Sequence, residues 1–232
     1  ELPEEEAKSA LNMGTALHAM VFETERFGDL VAVAPKVDRR TKEGKALYAK
    51  FVEESQGKTV LTSAEWCDVN GMYAAITSNK SAVQLLTMPG AIRETPIRWL
   101  DSGTGLWCKG KPDLIVEPGI LVDLKSVREV RMPAWARMVR DRGYHRQAAF
   151  YVDGLKQAIG MDVVSFLHIA VHNKPPYECI VYELLERPIQ LGRAEYRAAL
   201  QGIRTCLDSG EWTDPLANEI QQIDFPEWMY RE

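Results

Sequence analysis

Residues 113–125, Asp113-Leu-Ile-Val-Glu-Pro-Gly-Ile-Leu-Val-Asp123-Leu-Lys125, constrain the fold more than any other stretch. Two short apolar runs flank a Pro118-Gly119 turn signal, the pattern of a β-hairpin. Asp113, Asp123 and Lys125 stand where a hydrophobic strand should continue. Asp123 and Lys125 are two apart, so on a strand they share a face with Leu121, while Val122 and Leu124 point into a core. A carboxylate and an ammonium on an apolar strand are costly unless paired or used. Two carboxylates ~4 Å apart repel by about 4 kcal/mol at an effective dielectric of ~20, and a divalent cation removes that penalty. The D-x9-D-x-K pattern therefore points to a metal site with a lysine beside it.

The plainer alternative is a salt bridge between Asp123 and Lys125 on an exposed face, with Asp113 a turn residue. Geometry separates the two readings. A two-residue turn at Pro118-Gly119 sets Asp113 opposite Leu124, on the wrong face. A three-residue loop, or one bulge, sets it opposite Asp123. The metal reading requires one of these.

At 232 residues, with no Ser/Gly-rich linker, the chain is expected to form one domain. Within it, 1–90 is a mostly helical wall carrying His18, 91–184 the catalytic sheet and helices, and 185–232 a closing helix and tail. A composition of 46% hydrophobic and 26% charged residues is that of a globular protein with a sizeable core. No run reaches membrane-span length and no signal peptide is visible, so no membrane partner is expected. A start at Glu1 is what a fragment or processed product shows. The four cysteines are too dispersed for a C-x2-C site or a disulfide framework, which points to a reducing, cytoplasmic setting.

The net charge of −5 argues against indiscriminate nucleic-acid binding. Lys125–Arg146 nevertheless holds seven basic and two acidic residues, a balance of +5, and a second basic stretch lies at Lys36–Lys50. On an acidic protein such clusters suit a directed phosphate-binding surface, although each is also what a solvated helix face looks like. The phosphate reading makes Arg128, Arg131, Arg137, Arg140 and Arg146 candidate DNA contacts.

Along the chain, 3–25 reads as a helix with Leu11, Leu17, Met20 and Val21 on its apolar face and acids at its start. Gly14 and Thr15 leave the flank of His18 open to another element. Thr41–Glu54 has helical composition, Thr59–Leu61 is a short strand, and Thr62-Ser-Ala-Glu65 is a capping box opening a helix to about Thr77. A short helix follows at Ser81–Leu86. From Ala91 the pattern turns to strands at 94–99, 106–109, 112–116 and 120–125, an expected antiparallel meander with Glu94 near its start. Pro133 opens a helix through Arg140, Gly143 breaks it, and Tyr144–Ile159 forms another. On that helix Tyr144, Gln147 and Tyr151 share a face, an amide and two phenols suited to phosphate or sugar oxygens. Asp162–Val171 is a largely buried strand whose polar members are Ser165 and His168. Tyr177–Leu184 is a further strand and Pro188–Leu207 a long helix. The tail, with Trp212, Pro215, Pro226 and Trp228, is expected to be irregular and packed by its tryptophans.

The order is a helix with His18, a strand with Glu94, strands with Asp113 and with Asp123-x-Lys125, then a helix with Gln147-x-x-x-Tyr151. This set resembles the PD-(D/E)xK nuclease superfamily in its RecB-like branch. Gly14-Thr-Ala-Leu-His18, Lys111-Pro-Asp113, Val122-Asp-Leu-Lys125 and Tyr144-His-Arg-Gln147-Ala-Ala-Phe-Tyr151-Val-Asp-Gly154 are similar to the nuclease domains of the RecE (exonuclease VIII) family. Asp-Arg-Arg-Thr at 38–41 and Gly-Lys-Thr-Val at 57–60 add to the resemblance, which spans nearly the whole chain.

The resemblance implies an α/β (α+β) restriction-endonuclease-like core with a mixed central sheet flanked by helices. It implies a Mg2+-dependent exonuclease, with Mn2+ able to substitute, degrading linear double-stranded DNA 5′ to 3′ to leave a 3′ single strand for recombination. Its expected assembly is a toroidal homotetramer, and its expected partner a RecT-like single-strand annealing recombinase. Asp113, Asp123 and His18 are the implied metal ligands, with the Leu124 carbonyl as a further one. Lys125 would orient the attacking water and steady the phosphate, Glu94 would assist metal or water, and Gln147, Tyr144 and Tyr151 would position DNA. Hard carboxylates suit Mg2+, and an adjacent lysine suits a phosphate oxygen. The rival readings are a structure-specific endonuclease of the same fold and an inactive DNA-binding scaffold.

Overall fold

The computed structural model describes residues 4–212 together with 220, 222–224, 226, 229 and 230. Helix α1 (Glu4–Phe22) buries Met13, Ala16, Leu17, Ala19 and Phe22. Leu11, expected on that stripe, is 70% exposed, because the buried face is set by the small and long side chains one turn on. Helix α2 (Phe27–Leu30) leads into β1 (Val31–Val33), and after α3 (Lys42–Glu54) comes β2 (Thr59–Leu61), paired in parallel with β1. Helix α4 (Ser63–Ser78) opens on the Thr62–Glu65 capping box, both reciprocal bonds being present, and α5 (Lys80–Leu86) follows under an Asn79 cap.

The strands are β3 (Ile92–Arg93), β4 (Ile97–Leu100), β5 (Trp107–Gly110), β6 (Leu114–Val116) and β7 (Ile120–Val127). Helices α6 (Ala134–Asp141) and α7 (Tyr144–Ile159) then precede β8 (Ser165–His172), β9 (Cys179–Leu184) and the closing α8 (Glu186–Ser209). The central sheet has the order β3-β6-β7-β8-β9, with β7 and β8 parallel and the other pairs antiparallel. It is thus the mixed sheet flanked by helices that was expected.

The expected meander is interrupted. Glu94 has φ +47 and lies in no strand, and β4 and β5 leave the central sheet as a separate hairpin. Pro96 has no N–H to give a ladder, so the alternating 94–99 pattern breaks there. Strand β8 begins at Ser165 rather than near Asp162, leaving Val164 67% exposed. In the tail, Trp212 is exposed rather than packed, while Pro215 and Trp228 lie outside the described residues.

Strand β7 is buried on both faces. Val122 and Leu124, with Leu114 and Val116, pack on Leu17 of α1 and on Val69, Met72 and Ile76 of α4. Leu121 and Ile115 pack oppositely on Ala148, Ala149 and Leu155 of α7, with Ile189 and Tyr196 of α8 behind. Asp123 and Lys125 stand within this enclosed strand, Asp123 buried and Lys125 only slightly exposed.

Candidate metal and nucleic-acid site

The β6–β7 loop decides the geometry. Val116 pairs with Ile120 and Leu114 with Val122, so the loop has three residues, Glu117-Pro118-Gly119. Continuing that register sets Asp113 across from Asp123, as the metal reading requires. Gly119 makes the loop possible: its φ is +120, and a Cβ there would fall 2.1 Å from the Asp162 carbonyl oxygen. Asp113 is fixed by the Leu124 N–H, which donates to its Oδ2 at 2.8 Å.

His18 reaches this strand from α1, where Gly14 one turn earlier lies against Ser126 at a distance that a Cβ would fill in ordinary contact, 3.6 Å from Ser126 Oγ. His18 Nε2 lies 3.0 Å from the Leu124 carbonyl, which accepts its N–H. Its Nδ1 then faces Glu94 Oε1 and Asp113 Oδ2, each at 3.6 Å. Glu94 is placed by its own N–H, which donates to the Asp113 carbonyl at 3.0 Å, and its other oxygen pairs with Lys111 Nζ at 2.5 Å.

On the far side of Asp113, Asp123 is 2% exposed. Gln147 Nε2 donates to its Oδ1 at 3.0 Å, and Lys125 Nζ is 2.6 Å from its Oδ2. Apart from that ion pair, Oδ2 has no hydrogen-bond partner among the described residues. Lys125 Nζ also sits 4.9 Å from the centre of the Tyr144 ring. The site opens into a groove of about 520 Å³ lined by Leu11, Gly14, His18, Glu94, Lys111 and Lys125 among others.

The electrostatics follow from burial and crowding. Burial, and then the Asp123 charge, push the Asp113 carboxyl up to about 6. Burial opposes protonation of His18, but Glu94, Asp113 and Asp123 outweigh it and hold the imidazole pKa above its usual value. Burial likewise works against the Lys125 ammonium, and Asp123 more than compensates, raising its pKa. Glu94, despite burial, is held below the usual carboxylate range by bonds from His18 and Lys111.

His18, Glu94 and Asp113 offer one nitrogen and two carboxylate oxygens that all lie within 4.8 Å of one another. This donor set fits a divalent cation: the oxygens are hard, and a cation would relieve the repulsion that raises the Asp113 pKa. Glu94, expected to assist the metal, lies in this cluster, and Asp123, expected as a ligand, sits beside it bonded to Gln147 and Lys125. The Leu124 carbonyl, expected as a ligand, gives one lone pair to His18.

The expected DNA contacts divide. Gln147 and Tyr144 touch the site. Tyr151 packs over Gly110 and its hydroxyl lies 3.4 Å from the Lys111 carbonyl. Arg128 pairs with Glu6 and Arg131 with Glu178, while Arg140 and Arg146 share Glu195. Only Arg137 of the five has no ion pair among the described residues. The positive balance of this stretch is therefore offset by acids distant in sequence.

Two residues escaped the sequence reading. Lys111 was visible only as part of the Lys-Pro-Asp motif. His168 lies beside Asp123 in the β7–β8 register, 1% exposed, with Nε2 4.0 Å from Asp123 Oδ2 and neither ring nitrogen hydrogen-bonded among the described residues.

A family model described as a PDDEXK-like domain of unknown function (DUF3799) matches residues 1–224. A structure from Eubacterium rectale, provisionally designated an exonuclease, aligns with a TM-score of 0.63 and 14% identity, covering 96% of this chain and 79% of the other. An alkaline exonuclease from Laribacter hongkongensis aligns with a TM-score of 0.30 and 15% identity, covering 82% of this chain and 96% of the other. No curated protein matches the sequence.

Proposed function

The chain belongs to the PDDEXK-like family DUF3799, and on that premise we propose that it is a metal-dependent exodeoxyribonuclease acting on the ends of linear double-stranded DNA. Members of this nuclease superfamily generally use divalent metals; Mg2+ is the ion proposed here, with Mn2+ as a substitute. The observation that carries the reading is the His18–Glu94–Asp113 donor cluster beside the Asp123–Lys125 pair, at the mouth of an open groove.

His18, Glu94 and Asp113 would hold the ion, which when bound supplies Lewis acidity for phosphodiester hydrolysis. The chain's own groups do the rest. The Leu124 carbonyl fixes the tautomer of His18 and so aims Nδ1 at the carboxylates. Gln147 holds Asp123 in register with Asp113. Lys125, kept charged by Asp123, is the cation positioned to steady a phosphate oxygen and orient the attacking water. The polarity, 5′ to 3′, the toroidal tetramer and the RecT-like annealing partner extend this proposal on the motif resemblance alone.

The test is digestion of linear and closed-circular duplex, labelled at either end, with Mg2+ or with EDTA. Loss of linear duplex only with Mg2+, with early release of the 5′ label and no cutting by Asp123→Ala, is the expected result. Cutting of circles would replace the reading with an endonuclease. Retained DNA binding without any cleavage would leave a scaffold.

A further inference from the structure

The β4–β5 hairpin stands outside the central sheet. Its inner face, Ile97, Trp99 and Cys108, is buried, and Trp99 and Phe150 rings pack 4.7 Å apart. The outer face carries Arg98, Leu100, Trp107 and Lys109, all exposed, Trp107 at 69%. Arg98 pairs directly with Lys109 and Leu100 with Trp107. Like charges directly opposite on one face destabilise a strand pair, and neither cation has an ion-pair partner among the described residues. The Arg98 guanidinium instead lies 5.2 Å from the centre of the Trp107 ring. Two uncompensated cations beside an exposed indole lack an anion that also has a flat apolar face.

The hairpin's place relates it to the site. Its open end, the Ile97–Gly110 pair, lies between Glu94 and Asp113 in the chain. Arg98 and Lys109 are each four residues from one of those carboxylates, hence within about 14 Å along an extended backbone. The base of the hairpin is thus tethered directly beside the two carboxylates.

We propose that the outer face of the β4–β5 hairpin binds a single nucleic-acid strand, with Trp107 stacking a base and Arg98 and Lys109 holding phosphates. Aromatic stacking with a flanking cationic track is the chemistry of sequence-tolerant single-strand binding. An acidic peptide would satisfy the cations but leave the indole unused. The proposal rests on the nuclease reading for the origin of the strand, a product of the neighbouring site.

The test measures binding of a short fluorescein-labelled oligothymidylate, and of an abasic oligomer of equal length, by anisotropy in EDTA. The full chain is compared with Trp107→Ala, Trp107→Phe and Arg98→Ala/Lys109→Ala. Mg2+-dependent hydrolysis of duplex is followed in parallel. Trp107→Ala should weaken oligothymidylate binding by about fivefold or more while sparing the abasic strand, and Trp107→Phe should stay near the parent. Removing both cations should weaken both oligomers and flatten the log–log salt dependence by about 1.4. Equal affinity in all proteins, or equal losses for both oligomers in Trp107→Ala, overturns the assignment. Hydrolysis with unaltered binding sinks the platform alone. The expected binding pattern without hydrolysis sinks the enzyme reading and leaves the platform standing.

Discussion

His18 and Asp113 compete for protons and for a cation with the same atoms. With Nε2 committed to the Leu124 carbonyl, any proton that charges His18 sits on Nδ1, facing Glu94 and Asp113. Asp113 is protonated below about 6, and His18 stays protonated above its usual pKa. Both protonated forms exclude the ion, so cation affinity should rise as pH increases through about 6 and beyond, with proton release on binding. Calorimetry with Ca2+ in two buffers of different ionisation enthalpy measures the released protons, and their number should fall as pH rises above about 6. His168 makes a second prediction at this scale. Burial lowers its pKa to about 4, so the folded state holds it neutral. A depressed folded pKa contributes stability that is present above the unfolded value near 6.5 and is lost as pH falls toward 4, on the order of 3 kcal/mol. Raised Asp113 has the opposite sign over the same acid range. The comparison that isolates His168 is therefore His168→Phe against the parent, by urea unfolding in EDTA. Acid should cost the variant less, and parallel curves would refute the assignment.

At the scale of elements, the β6–β7 loop carries the site. Gly119→Ala would force a left-handed conformation on alanine and drive its Cβ into the Asp162 carbonyl. We expect a loss of more than about 1 kcal/mol, because strain and a steric clash coincide. Cation binding should weaken too, since Asp113 depends on this register; urea midpoints with and without Ca2+ measure both. This loop also marks the limit of what the sequence tells. Pro118-Gly119 is compatible with a two- or a three-residue connection, and the loop observed packs on the segment before β8, more than forty residues away, where the Val164 N–H donates to the Gly119 carbonyl. Helix α7 was legible to the residue, because Gly143 and Gly160 both adopt positive φ at its ends. The Thr62–Glu65 cap was legible because it is local. Glu94 was misplaced into a strand because alternation continues through Thr95 and Pro96 while the backbone turns. The arginine partners Glu178 and Glu195 were invisible to local charge counting, as was His168, which meets Asp123 only through parallel pairing of distant strands.

Across the whole molecule, the donor cluster joins the N-terminal helix to the central sheet. His18 comes from α1 in the helical first ninety residues, Glu94 from the β3–β4 junction and Asp113 from the hairpin, with Gln147 bracing from α7. An ion held by His18, Glu94 and Asp113 therefore ties the N-terminal helix to the sheet. Ligand that binds only the folded state stabilises it by about 2.7 kcal/mol at a hundredfold excess over Kd. For a chain of this size that is a rise in Tm of roughly 5–10 °C. Calorimetric melts of the full chain with Ca2+ at pH 8 should show one transition shifted as a unit, and His18→Ala should lose most of the shift. If the first ninety residues unfold on their own, two transitions appear and only the later one moves in the variant. That outcome would divide the protein into two cooperative units, and α1 would then be a separable wall. A single shifted transition would make α1 part of the same unit as the sheet, with the Leu17 contacts and the His18 site lost together.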